Sequence, residues 1–274
     1  MSDTAPERPL QTEICAIGTE IVMGRIQDTN SSWVARRLAS IGAFVRRITA
    51  VQDEESDITD VLRDALGRRP DVLIVSGGMG PTADDLTVAC VSSVLGQPLV
   101  LHEETVQRFV ERRNLPDRSQ LSQGALKMAT VPAEAEVGHN PVGWAPSLRL
   151  RHDGTDIFVL PGPPKELVGT FDASVMPVLT RRACRRTCCL RVAVQMHESE
   201  VAPLMTSIME GQRGTYLKAY VALWTKSDSL LPVDIVATAE SEVGAHQAAQ
   251  QALVAFTDLL QQQGRNWRLM DESE

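Results

Sequence analysis

Along the first 180 residues, short apolar runs of strand type alternate with stretches whose apolar positions recur at helical spacing. "EICAIGTE" (13–20) reads as a buried strand running into a glycine turn, "AFVRRITAVQD" (43–53) as a second strand and "DVLIVS" (71–76) as a third. Between them, Trp33, Val34, Leu38 and Ile41 predict one helix, with Asp28, Thr29 and Asn30 as candidate caps. Ile58, Val61, Leu62 and Leu66 predict another. A further helix is expected from about Thr82 to Leu95, and two more around 103–113 and 119–129, ahead of an irregular segment rich in Pro and Gly. "DIFVLPGPPKELVGTF" then repeats the order of apolar strand, Pro/Gly turn and helix start. Short connections between alternating strands and helices predict an α/β unit, a parallel sheet covered on both faces, over 12–182. Ligands of such sheets gather outside the carboxyl ends of the strands, where "GTE", "QDE", "GGMGPTADD" and "PGPPKE" all fall.

The pattern changes after about residue 182. "RTCCLRVAVQM", "TYLKAYVALWT" and "LLPVDIVATAE" read as strands, "ESEVAPLMTSIMEGQ" and "SEVGAHQAAQQALVAFTDLLQQQ" as helices. This β-α-β-β-α order predicts a small separate α+β unit over 184–265. The first eleven residues and the final "MDESE" read as polar, frayed ends.

Composition narrows the function classes. Of 274 residues, 43% are apolar and 23% charged, the balance of an ordinary globular protein. A net charge of -8 argues against nucleic-acid and anionic-membrane partners while leaving a small nucleotide open. Five scattered cysteines suggest reduced thiols in a cytoplasmic protein, and "CRRTCC" lacks the spacing of a metal site. No basic-then-apolar leader and no run of membrane-spanning length is expected. The histidines His102, His139, His152, His197 and His246 are scattered, none in a nucleophile motif with Ser or Cys.

The chemistry concentrates in "SGGMGPTADD" (76–85). It is neither a Walker A loop nor the dinucleotide fingerprint. Gly77, Gly78 and Gly80 nevertheless let backbone N–H groups approach a ligand, Pro81 presets a helix start, and a helix N-terminus attracts an anion. Asp84 and Asp85 stand against that. One explanation is a capping box, Thr82 as N-cap with Asp85 reaching back to its N–H. The other is a divalent cation held by the acids that in turn holds a phosphate, with Asp53 at the end of its strand as a third ligand. Asp28, Thr29 and Asn30 could bind ribose or phosphate, or only cap their helix. Lys127 could neutralise phosphate or be solvated, and "NPVGWAP" (140–146) and "PGPPKE" with Glu166 could bind ligand or merely turn the chain.

Together, "GTEIVMGRIQDTNSSWVARRLASIG", "VQDEESDI", "SGGMGPTADDLT", "NPVGWAP" and "FVLPGPPKEL" resemble the N-terminal domain of the competence/damage-inducible protein A family, whose fold is the three-layer molybdopterin-binding one. The family pattern falls on Gly18, Thr19, Glu20, Gly24, Ile26, Asp28, Thr29 and Asn30, and again on Gly77, Gly78, Gly80, Pro81, Thr82, Asp84 and Asp85. Met79 replaces a usual Leu, "PGPP" a usual P-G-V-P, and Leu167 a usual Met. The resemblance implies a metal-dependent pyrophosphatase, Asp84 and Asp85 catalytic, cleaving ADP-ribose or FAD. Mg²⁺, Mn²⁺ or Co²⁺ would be bound by Asp53, Asp84 and Asp85. Substrate would be bound by the two glycine-bearing motifs together with Lys127, Asn140, Pro161, Gly162 and Glu166. Molybdopterin binding or adenylylation, as elsewhere in that fold, and a non-catalytic nucleotide-binding module are the alternatives. The second unit resembles, more weakly, the family's KH-like domain, with His197 where a Gly-Glu-Ser-Glu pattern is usual. The family's nicotinamide mononucleotide deamidase domain has no counterpart in the sequence. A homodimer is expected by analogy.

Overall fold

The computed structural model describes residues 8–223 and 230–270. The chain forms two compact units that divide at Ala183 and Cys184, except that Ser40–Gly42 groups with the second. In the first, β1 (Gln11–Ile17) leads through the one-turn α1 (Thr19–Val22) to α2 (Thr29–Ser40), β2 (Phe44–Val51), α3 (Glu55–Gly67) and β3 (Val72–Ser76). Then come α4 (Thr87–Leu95), β4 (Leu99–Leu101), α5 (Glu103–Arg112), α6 (Gln123–Met128), β5 (Thr130–Pro132), β6 (Glu136–Gly138) and β7 (Ser147–His152). β8 (Thr155–Leu160), α7 (Pro164–Thr170) and α8 (Met176–Arg182) complete it.

The main sheet runs β2-β1-β3-β8-β7-β6. β1 pairs in parallel with β2 and β3, and β3 with β8, whereas β7 pairs antiparallel with both β8 and β6. The expected parallel sheet is therefore extended by two antiparallel strands at one edge, drawn from the segment read as irregular. Central β3 is buried at every residue, as its unbroken apolar run requires. Alternation sends Cys15, Ile17, Ile157 and Val159 to one face, where they pack with Ile58, Val61 and Leu62 of α3 and Cys90 and Val91 of α4. Ile14, Ala16, Phe158 and Leu160 alternate to the opposite face and are buried there, and Val34 and Leu38 of α2 and Phe171 are buried as well. Trp33 meets the Phe171 ring edge-on at 5.3 Å. A helical layer thus lies on each side of the sheet.

Two boundaries differ from the sequence reading. Residues 82–85 form a turn rather than the first turn of α4, which begins at Thr87. The stretch 119–129 splits into a 3-10 turn, Arg118–Gln120, and α6, capped by Ser122.

The second unit runs β9 (Arg186–Val194), α9 (Glu198–Gly211), β10 (Thr215–Ala219), β11 (Leu231–Ala239), α10 (Glu242–Gln262) and β12 (Trp267–Met270). Its antiparallel sheet has the order β10-β11-β9-β12, the split β-α-β-β-α-β arrangement of ferredoxin-like units. β12, unforeseen in the sequence, pairs with β9 beyond residue 265, so Met270 belongs to a strand and not to a frayed end. Gln11 likewise lies inside β1. The expected strand through Thr225 is shorter: β10 stops at Ala219, and Trp224 and Thr225 fall outside the described residues, as do 1–7 and 271–274. Val192, Val194, Val201, Leu217, Val233, Ile235 and Phe256 centre a core of their own. No helix among the described residues is long and apolar enough to cross a membrane.

Candidate functional site

Because β2, β1, β3 and β8 are parallel neighbours, their carboxyl ends share one rim, and the polar loops predicted to converge there do so. Asn30 at the start of α2 donates from Nδ2 to the Gly162 carbonyl at 2.7 Å, tying that helix to the Pro161–Gly162 turn. Asp28 caps α2, its Oδ1 accepting from Ser31 N–H at 2.9 Å. Gly18 donates its N–H to the Val51 carbonyl at 3.0 Å, and Glu20 folds back over Gly18.

At the end of β3 the backbone turns sharply, with φ of 99° at Gly77 and 62° at Gly78. A Cβ on Gly77 would stand 2.0 Å from the Ile17 carbonyl oxygen, so only glycine fits between β1 and β3. On Gly78 a Cβ would meet Thr87 Oγ1 at 2.2 Å. Thr87 opens α4 and donates its N–H to the Gly78 carbonyl at 3.1 Å, folding the helix start against the loop. Among the described residues no side chain caps α4, and with the Thr87 N–H taken by Gly78 the remaining first-turn donors are left to a ligand. The Thr87 hydroxyl and the Ser31 hydroxyl in the first turn of α2 are buried and have no hydrogen-bond partner among the described residues. Neither was singled out from the sequence; the available signal was a hydroxyl on the apolar side of a helix's first turn.

The acids occupy three different settings. Asp53 Oδ2 accepts from Thr19 N–H at 2.7 Å and Thr19 Oγ1 at 3.0 Å, latching the end of β2 to the start of α1. Asp85 Oδ2 accepts from Thr82 N–H at 2.8 Å and from Thr82 Oγ1 at 2.5 Å. The reciprocal bond of a capping box is present, but it closes a free-standing turn over Gly80, where a Cβ would approach that oxygen to 2.6 Å. Asp84 is exposed. The Thr82 hydroxyl, then its own backbone N–H and the Lys127 ammonium, hold its carboxyl below the usual carboxylate range. Lys127 also donates to the Thr82 carbonyl, so it belongs to this loop and is not merely solvated. Gly124 of the same helix α6 lets that helix lie against Pro81.

Asn140 and Glu166 form a second cluster. Asn140 Nδ2 donates to Glu166 Oε2 at 2.7 Å and to the Ala145 carbonyl at 2.8 Å, while its Oδ1 accepts from the N–H groups of Val142 and Gly143. A Cβ on Gly143 would overlap the Glu166 carboxyl at 1.8 Å, so "NPVG" wraps a carboxylate that shapes the loop.

Among the described residues no three His, Cys, Asp or Glu side chains group closely enough to hold a metal ion. Asp53, Asp84 and Asp85, expected from the sequence as one ligand set, are not brought together as such; Thr19 and Thr82 hold two of them in place. What the rim presents is a backbone cradle with an uncapped helix start, bordered by the exposed Asp84 carboxylate and by Lys127.

Residues 13–181 match the family described as probable molybdopterin binding domain. A protein of Metallosphaera sedula is 36% identical over 236 residues, which cover 84% of this chain and 86% of that protein. A protein of Pyrobaculum aerophilum is 32% identical over 249 residues, covering 90% of this chain and 93% of that one. Among solved structures, the crystal structure of the protein CinA with unknown function from Thermoplasma acidophilum is similar. It shows 32% identity and a TM-score of 0.57 over 63% of this chain and 98% of that one.

Proposed function

The chain belongs to the family of the probable molybdopterin binding domain, and on that premise we propose that its sheet rim binds a phosphorylated pterin of the molybdopterin kind. The phosphate sits over Gly77 and Gly78 against the first turn of α4, where uncapped N–H groups and the positive end of the helix face it. Asn30, Asp28 and the Pro161–Gly162 turn border the heterocycle, and Lys127 balances phosphate charge.

The observation that carries this reading is the Thr87 hydroxyl, buried beside Gly78 and without a hydrogen-bond partner among the described residues. A buried hydroxyl left unpaired is destabilising, so a ligand oxygen at the cradle is the partner it lacks. Thr87→Val keeps the shape and removes the hydroxyl. Stability should hold or rise slightly, whereas affinity for a stable 6-substituted pterin monophosphate, read by calorimetry, should fall about tenfold. Equal affinity in the variant, or equal binding of the dephosphorylated pterin, refutes the reading.

Asp84 favours a second reading, the cleavage of a diphosphate linkage of the ADP-ribose or FAD kind. Its carboxylate is exposed and ionised at the mouth of the cradle. A divalent cation (Mg²⁺, Mn²⁺ or Co²⁺) would be held there by Asp84 and the ligand's own phosphate oxygens. It would supply charge neutralisation and an activated water. Release of AMP from ADP-ribose that requires the cation and vanishes in Asp84→Asn selects this reading. Absence of AMP release, with pterin phosphate bound equally well after chelation, selects the first.

A further inference from the structure

β9 and α10 bring together two side chains that lie 58 positions apart in the sequence. Cys188 sits on β9 opposite Ala237 of β11, a register position where the neighbour contributes only a methyl group. Its Sγ lies 3.6 Å from Nδ1 of His246, in the second turn of α10. Cys188 is half-buried and His246 exposed, so the pair stands at the surface of the second unit.

The other cysteines are placed differently. Cys15 and Cys90 belong to the core of the first unit. Burial, and then the Glu13 carboxylate, push the Cys15 thiol up to about 12, and burial likewise raises Cys90. Cys189 faces the opposite side of β9 and is more exposed than Cys188, but local desolvation and then the Asp234 carboxylate push its thiol up to about 12. Cys184 precedes β9 and is half-buried.

We propose that Cys188 and His246 act as a thiol–imidazole pair, and that Cys188 is the site at which this chain is modified by low-molecular-weight disulfides. The imidazole Nδ1 takes the thiol proton, and the thiolate attacks one sulfur of the incoming disulfide. A new S–S bond forms at Cys188 as the reagent's own S–S bond breaks. The displaced thiolate leaves with the bonding pair and takes up the proton from the imidazolium. Cys188 is oxidised to a mixed disulfide, and half of the reagent is reduced to a thiol. Both residues lie in the second unit, so this site stands or falls independently of the rim.

The test treats the full chain with glutathione disulfide at neutral pH and follows each cysteine by tandem mass spectrometry. Cys188 should be modified first, and His246→Ala should slow it about tenfold while Cys184 and Cys189 change less than about twofold. His246→Gln, which keeps a polar side chain but takes no proton, should behave like His246→Ala. Modification led by Cys184 or Cys189 overturns the proposal, as does a Cys188 rate unchanged in His246→Ala or restored by Gln. Circular dichroism of each variant shows whether the fold is retained.

Discussion

Gly77 and Gly24 both adopt positive φ, 99° and 68°, yet they play different parts. A side chain on Gly24 meets nothing within 4 Å, whereas one on Gly77 runs into the Ile17 backbone. Gly24→Ala should cost about 1 kcal/mol, the ordinary penalty of a left-handed residue. Gly77→Ala should cost at least about 3 kcal/mol, because the carbonyl it meets is fixed in the sheet. Urea midpoints of the two variants measure the difference; equal losses would mean that the β1–β3 approach yields to a methyl group. At this scale much was legible in the sequence. Asp28 is a cap, Asp85 does reach back to the Thr82 N–H, and the glycines do sit where the backbone must come close. The helix that the capping pattern announced is absent from 82–85, because the same two hydrogen bonds also stabilise a closed turn and Thr87 bonds back to Gly78. Local pattern names the bond and leaves the conformation around it open.

Elements are held to one another by a few polar joints at the ends of the apolar layers. Arg68, the C-cap of α3, clamps Glu13 of β1 through Nε and Nη2 at 2.8 and 2.7 Å. Glu13 is only 4% exposed, so its carboxylate depends on that guanidinium. Arg68→Met should lower stability by about 2–3 kcal/mol, and adding Glu13→Gln should recover a good part of the loss by removing the buried charge. Denaturation of the single and double variants checks this; a double variant no better than the single would show the pair to be screened. Strong strands and helices were readable from periodicity because each buries a long apolar face. β5, β6 and β12 were not, being three or four residues long and stabilised by their partners rather than by their own pattern. β7 carried a readable alternation, Leu148 and Leu150 inward, that the surrounding Pro and Gly obscured.

Over the described residues, separate sets of side chains build the core of each unit: one cluster is centred on β1, β3 and β8, a second on β9, β11 and α10, and a smaller one joins Val106 and Phe109 of α5 to Ala125 of α6. Phe256 is fully buried in the second. Phe256→Ala should destabilise that unit by about 3–5 kcal/mol. Hydrogen exchange should quicken across β9–β11 and stay unchanged at β1 and β3; acceleration in both sheets would show that the cores unfold as one. The division into an α/β unit and a smaller α+β unit followed from the sequence alone, as did the rim of loops, because periodicity and chain connectivity dictate where parallel strands end. Tertiary structure alone decided how the rim's side chains are engaged. Asp53 and Asp85 latch loops, Glu166 is wrapped by Asn140 and Gly143, and the Thr87 hydroxyl is left buried beside Gly78 with no partner among the described residues. It also decided that Cys188 meets His246. The physical reason is one of range: burial periodicity acts along the chain and can be read there, whereas hydrogen bonds and thiol chemistry depend on groups within a few ångströms that the chain brings together only when folded.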